Sequence, residues 1–231
     1  MKIFCANVRF SIVAALAIGS LHGRVSAGDF SRSSDFDYDP PAAGSYRLPL
    51  IKKAAEGDVL DTKGKALRLG ELTRGRITVL SFIYTRCSAA RACPYATGVL
   101  MQLYRISSED PVLTKKLRLV SLSFDPVADT PERMGAYAAL IQGEKSAAEW
   151  DFLTTRSKSA LQPILDGYGQ VVDKKANPAD PTGPLNHILR VFLIDQAGNV
   201  RNIYSADTLD PRLVLADVRT LMMESQSAKS D

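Results

Sequence analysis

Two apolar segments of the sequence predict strands that are buried on both faces. ITVLSFIY at residues 77–84 and LRLVSLSF at residues 117–124 are dominated by apolar residues. Such runs are typical of interior strands of a parallel sheet. Each is followed by a predicted helix, the first at about residues 94–106 and the second starting at Asp129 or Thr130. Strands that alternate with helices indicate a parallel sheet.

Shorter elements complete the pattern. Before the first buried strand, the sequence predicts a hairpin at residues 60–72 that turns at Gly64. After the second buried strand and its helix, it predicts a strand at 151–154, a helix at 157–169 interrupted or kinked at Pro163, and an irregular loop at 171–186. Strands at 187–195 and 200–205 and a helix from Pro211 complete the chain. The order β-α-β-α-β-α followed by β-β-α predicts an α/β, thioredoxin-like fold. Its central mixed sheet is flanked by helices, with an N-terminal hairpin extension.

The first 27 residues have the pattern of a secretory signal peptide. Lys2 and Arg9 give a positive start, residues 10–21 are apolar but too short to span a bilayer comfortably, and Val25–Ala27 end in small residues. We therefore expect export to the periplasm. The alternative is an uncleaved leader that anchors the chain in the inner membrane.

The segment after the leader is polar and rich in Ser, Asp, Pro and Gly, which predicts a flexible tether at residues 28–45. The folded, thioredoxin-like domain is expected at residues 46–225, followed by a disordered tail at 226–231. The net charge of +4 comes largely from the leader, which holds three basic residues and no acidic one. With no block of like charge elsewhere, a nucleic-acid partner is not expected.

Cysteine usage directs attention to one loop. Cleavage of the leader would remove Cys5 and His22 and leave Cys87, Cys93 and His187. The two cysteines lie between an apolar strand and a helix, at the edge of an α/β sheet where ligands usually bind. In an oxidising compartment the pair can form a disulfide. On these residues alone a metal site, a redox pair and a structural disulfide all stay open.

Four motifs, taken together and in order, identify a family resemblance. VLSFIYTRC…CP, VSLSFDPVADTPER, FLT and HILRVFLIDQAGNVRNIY are similar to the Sco/SenC/PrrC proteins, over residues from about Leu48 to about Met223. The resemblance implies a thioredoxin-fold copper protein that serves cytochrome c oxidase assembly. It also implies a partner, the copper-receiving subunit of a terminal oxidase, with another copper enzyme as the alternative recipient. A thiol reductant is a further candidate partner, and the chain is expected to act close to a membrane.

The resemblance implies one copper ion per chain, held by Cys87, Cys93 and His187. Thiolates favour Cu(I), and imidazole suits both Cu(I) and Cu(II). One departure concerns the cysteine spacing, because this chain has five intervening residues, SAARA, where the family usually has three. The longer loop makes a disulfide between Cys87 and Cys93 sterically easy in the oxidised form.

Several residues near the cysteines are predicted to have supporting roles. Cys93 lies at a helix N-terminus, which favours a thiolate, and Arg86 and Arg91 are expected to act in the same direction. Asp125, Tyr84 and Arg86 are candidates for a layer around the metal ligands. Asp129 is expected mainly to cap a helix, and Trp150 to lie in the core.

The main alternative function is a thiol–disulfide oxidoreductase that reduces the cysteines of a copper-site partner. Cys87 would attack the partner disulfide and Cys93 would resolve the intermediate. Such enzymes typically have two residues between their cysteines and a proline just before the strand that faces the site. Here Pro184 is three residues before His187. The residues preceding either cysteine do not match a peroxiredoxin, so a peroxidase is not expected.

Overall fold

The computed structural model describes residues 36–143 and 147–227. The predicted signal peptide, with Cys5 and His22, lies outside the described residues. The described part forms a mixed six-stranded sheet flanked by helices and two small two-stranded sheets. Its strands are β1 (Lys52–Lys53), β2 (Asp58–Leu60), β3 (Ala66–Arg68), β4 (Ile77–Ile83), β5 (Leu117–Ser123), β6 (Glu149–Leu153), β7 (Val172–Lys174), β8 (Leu185–His187), β9 (Val191–Ile194) and β10 (Asn199–Tyr204). Its helices are α1 (Leu69–Thr73), α2 (Cys93–Glu109), α3 (Pro111–Lys116), α4 (Pro131–Ala139), α5 (Lys158–Tyr168) and α6 (Pro211–Ser227).

The large sheet has the strand order β1-β10-β9-β4-β5-β6. β4, β5 and β6 are parallel, whereas β9 pairs antiparallel with both β4 and β10. Every residue of β4 is buried, as its apolar run predicts. The α/β class and the thioredoxin-like mixed sheet with flanking helices are confirmed.

Several elements differ from the pattern-based expectation. The predicted hairpin at 60–72 is β2 and β3 around Gly64, but its last residues, 69–72, belong to the short helix α1. The predicted irregular loop at 171–186 contains β7 and β8, which pair antiparallel. Helix α5 runs through Pro163 and ends at Gly169, whose positive φ of 68° suits glycine at a helix C-terminus.

The described part of the N-terminal segment packs along α6. The Phe36 side chain is only 5% exposed. The Arg212 guanidinium donates to the Tyr38 carbonyl over 2.9 Å, and the Gly44 N–H donates to Thr220 Oγ1 over 3.0 Å. These contacts fix residues 36–44 to the domain, although they belong to the segment expected to be a tether.

The flexible tether stays a prediction for residues 28–35, which the structure does not describe. At the other end, α6 continues to Ser227, two residues into the predicted tail, while 228–231 lie outside the described residues. No helix within residues 36–143 and 147–227 is both long and apolar enough to cross a membrane.

Candidate metal centre

The cysteine loop joins the carboxyl end of β4 to the start of α2. Because the loop follows the last residue of β4, it leaves the sheet at the carboxyl edge of its parallel strands, where open α/β sheets bind their ligands. Cys87 is 9% exposed and Cys93 is 3% exposed, and both are free thiols.

His187 completes a cluster with the two cysteines. Its Nε2 lies 3.9 Å from the Cys87 sulfur and 3.4 Å from the Cys93 sulfur. The three candidate ligand atoms all lie within 4.8 Å of one another. The structure therefore brings together the three residues that the sequence predicted as metal ligands.

Aromatic packing orients the His187 ring. The ring lies edge-on to Tyr84 with a centroid separation of 5.5 Å and packs on Phe124 at 4.8 Å. Its Nδ1 is buried and has no hydrogen-bond partner among the described residues. Packing rather than a hydrogen bond at Nδ1 therefore directs Nε2 towards the sulfurs. Tyr84, a candidate for the layer around the ligands, contacts the site in this way.

The two thiols have opposite tendencies to ionise. A hydrogen bond with the Cys93 side chain lowers the pKa of Cys87, despite burial, and His187 and the backbone N–H groups of Cys93 and Ala89 act in the same direction. The same hydrogen bond with Cys87, together with burial, raises the pKa of Cys93. The pair therefore favours one thiolate, on Cys87, and one thiol, on Cys93.

This distribution reverses the expectation that the helix N-terminus makes Cys93 the thiolate. The first N–H of α2, that of Cys93, lowers the pKa of both thiols, but at Cys93 the hydrogen bond with Cys87 and burial outweigh it. The two arginines of the segment pair with carboxylates. Arg86 lies 2.7 Å from Asp125, and Arg91 lies 3.7 Å from Asp207.

Asp125 and Asp129 occupy different places near the loop. Asp125 is buried and forms the ion pair with Arg86, so it reaches the residue next to Cys87. Asp129 does not cap α4, because the Thr130 side chain accepts from the Arg133 N–H and serves as the N-cap. Asp129 therefore does not have the capping role expected for it, and its carboxylate binds Thr85 and Ser123 instead.

The Asp129 carboxylate ties the cysteine loop to the neighbouring strand. It accepts from the Thr85 N–H at 3.0 Å, the Thr85 hydroxyl at 2.5 Å and the Ser123 hydroxyl at 2.6 Å. Thr85 follows β4 and Ser123 ends β5, so the fully buried Asp129 holds the ends of both strands together. Neither hydrogen-bonding partner carries a local sequence signal that would reveal this role.

Trp150 lies in the core, where its indole N–H donates to Ser121.

Comparisons with known proteins give a consistent result. A family model described as SCO1/SenC matches residues 54–223. A SCO1 protein homolog of Bacillus subtilis is 27% identical over 142 residues, covering 62% of this chain and 68% of the relative.

Solved structures are similar over most of the chain. A SCO1/SenC family lipoprotein from Bacillus anthracis is 26% identical with a TM-score of 0.63, covering 77% of this chain and 99% of that one. ScoI of Bradyrhizobium japonicum, solved with copper bound, is 19% identical with a TM-score of 0.57, covering 71% of this chain and 97% of that one. At that identity the likeness supports the fold alone.

Proposed function

Because this chain belongs to the SCO1/SenC family, we propose that it is a copper chaperone that binds one copper ion through Cys87, Cys93 and His187. The observation that carries this proposal is the convergence of the three ligand atoms to within 4.8 Å of one another. Two sulfurs and one imidazole suit copper, since soft ligands favour Cu(I) and imidazole accepts either oxidation state.

Transfer of the ion requires a site that can be vacated. Three protein ligands leave room in the coordination shell for an incoming ligand from a recipient. We propose that the ligands of the recipient displace the three residues stepwise, while the segment around residues 171–186 moves to release the ion. The recipient in this proposal is the copper-receiving subunit of a respiratory copper enzyme, with cytochrome c oxidase first.

The place of action in this proposal is the periplasm, either free or held at the inner membrane. Its support is the signal-peptide pattern of the first 27 residues. The Bacillus anthracis relative is described as a lipoprotein, which is compatible with action close to a membrane.

A second function, thiol–disulfide exchange, is favoured by the unequal pKa values of the two cysteines. The Cys87 thiolate would attack a partner disulfide, forming a mixed disulfide and releasing one partner thiolate. Cys93, after losing its proton, would attack the Cys87 sulfur and release the second partner thiolate. This leaves a Cys87–Cys93 disulfide and transfers two electrons to the partner. A thiol reductant would then restore the pair.

Copper titration of the chain from Gly28 to Asp231 tests the first function. The reduced protein should take up one copper ion, and Cys87→Ser and Cys93→Ser should each abolish tight binding. Asn186→Ala is the control, because Asn186 is an exposed neighbour of His187 that is not a proposed ligand, and this variant should still take up one copper ion. A reduced protein that takes up no copper, yet reduces a disulfide substrate, would favour the second function instead.

A further inference from the structure

The tip of the β7–β8 hairpin lies against the cysteine loop. The Ser88 hydroxyl donates to the Pro181 carbonyl over 2.5 Å, and the Tyr84 hydroxyl donates to the Thr182 carbonyl over 3.2 Å. The two donors lie on either side of Cys87 in the sequence. Because both acceptors are backbone carbonyls, these hydrogen bonds fix the path of the tip itself.

Gly183 makes this close approach possible. A Cβ at this position would lie 2.1 Å from the Tyr84 hydroxyl oxygen and 2.8 Å from the Arg86 carbonyl oxygen. Its φ of 100° is also a conformation that side chains other than glycine rarely adopt. Any larger residue at 183 would therefore push the tip away from the cysteine loop.

Interactions inside the tip make it a stiff unit. The Asp180 carboxylate accepts from the Thr182 N–H at 2.7 Å and from the Thr182 hydroxyl at 2.6 Å, and it lies 3.1 Å from the Lys175 ammonium. The Lys175 N–H donates to the Pro184 carbonyl over 2.9 Å, next to the start of β8. A displacement of the tip is therefore passed along β8 to His187, the last residue of that strand.

From these contacts we infer that Ser88, in the long cysteine loop, is a positioning residue for His187. Together with Tyr84 and Gly183 it clamps the hairpin tip, and the clamp holds the His187 Nε2 beside the two sulfurs. This inference deepens the proposed copper function and rests on it. Two thiolates hold Cu(I) without help, whereas Cu(II) depends more on the imidazole. The clamp therefore sets how strongly the site favours Cu(II).

The direct test replaces Ser88 with Ala and compares copper binding in both oxidation states. The dissociation constant for Cu(II) should rise about two- to tenfold, the usual effect of one hydrogen bond, while that for Cu(I) changes less. The electron paramagnetic resonance signal of bound Cu(II) should also change, because the imidazole nitrogen is displaced. Ser88→Thr keeps a hydroxyl and should restore the values of the unsubstituted protein.

The matched control is Ser108→Ala. The Ser108 hydroxyl also donates to a backbone carbonyl, that of Arg105, but it does so on the exposed surface of α2 near its far end. This variant loses the same kind of hydrogen bond without touching the hairpin. It should leave both dissociation constants unchanged.

A second readout uses copper-free protein. Ser88→Ala should accelerate hydrogen exchange of the backbone amides of residues 172–187, and Ser108→Ala should not. Gly183→Ala should have the larger effect in the same direction, since its Cβ meets backbone as well as a side chain.

Two results would overturn the inference: unchanged hairpin exchange in Ser88→Ala, or equal weakening of Cu(I) and Cu(II) binding. Failure of the proposed function looks different, because then the unsubstituted chain takes up no copper. In that case exchange still decides whether Ser88 holds the hairpin, but its role for the metal is refuted.

Discussion

The Cys93 sulfur and the His187 Nε2 lie 3.4 Å apart, although 94 residues separate the two in the chain. The cysteine begins α2, and the histidine ends β8. Neither the loop nor the hairpin forms this site alone. The sheet brings the two elements to one edge, since β9, which follows His187, pairs directly with β4, which precedes the cysteine loop.

Replacing His187 with Ala should separate the two oxidation states of copper. The sulfurs of Cys87 and Cys93 remain, and two thiolates are sufficient for Cu(I). Cu(II) affinity should fall by more than about tenfold, because even residues outside the ligand shell typically contribute that much. Competition with a chelator specific for each oxidation state measures both constants. Equal losses for the two would contradict the division of labour between sulfur and imidazole.

Cys87 should be the more reactive thiol at mildly acidic pH. Its pKa is lowered by the hydrogen bond from Cys93, so its thiolate persists when the pH falls from 8 to 6. The pKa of Cys93 is raised, so its thiolate is scarce over that range. At pH 6, iodoacetamide should modify Cys87 more than about tenfold faster than Cys93, as measured by mass spectrometry of the peptides.

Two controls accompany this alkylation experiment. In denaturant both cysteines should react at similar rates and lose reactivity together as the pH falls, because the hydrogen bonds of the folded state are gone. Preferential modification of Cys93 in the folded protein would show that the helix N-terminus outweighs the effects of burial and of the hydrogen bond with Cys87 on the Cys93 thiol.

The sequence carried enough information to predict five of the six strands of the large sheet, and to single out the three residues that the structure brings together as candidate ligands. β4 was predictable because a short segment dominated by apolar residues is typical of a strand that is buried on both faces of a sheet. His187 was a candidate because cleavage of the leader would leave it as the last histidine, at the position that the family resemblance implies. The first inference uses the composition of one segment, and the second uses the histidine content of the whole chain together with the family resemblance.

What the sequence did not reveal depends on contacts between distant segments. β7 and β8 have three residues each, none of them buried, so they show no apolar alternation. They form strands because they pair with each other. Asp129 and Thr130 both suit a helix N-cap. Thr130 is the N-cap because the Asp129 carboxylate instead accepts a hydrogen bond from Thr85, 44 residues away in the chain.

Replacing Asp129 with Ala should destabilise the fold without removing any proposed ligand. The Thr85 N–H and the hydroxyls of Thr85 and Ser123, which are partly or fully buried, would lose their shared acceptor. The free energy of unfolding in urea should fall by about 2–4 kcal/mol, the range expected for buried polar groups left unsatisfied. Asp110→Ala is a suitable comparison, because Asp110 accepts from two N–H groups at the start of α3. A loss of only about 1 kcal/mol is expected there, so equal losses would argue against the tie between β4 and β5.

Removing residues 28–46 should destabilise the domain, although most of this segment was predicted to be a tether. Deletion exposes the surface that Phe36 covers and takes the Tyr38 carbonyl from Arg212. Burial of one large apolar side chain contributes about 1.5–3 kcal/mol, so a chain beginning at Arg47 should unfold at a clearly lower urea concentration than one beginning at Gly28. A chain beginning at Ser34 retains these contacts and should match the longer one, and Phe36→Ala should reproduce part of the loss. Identical unfolding of the chains from Gly28 and Arg47 would mean that the segment contributes nothing, and that its contacts with α6 do not persist in solution.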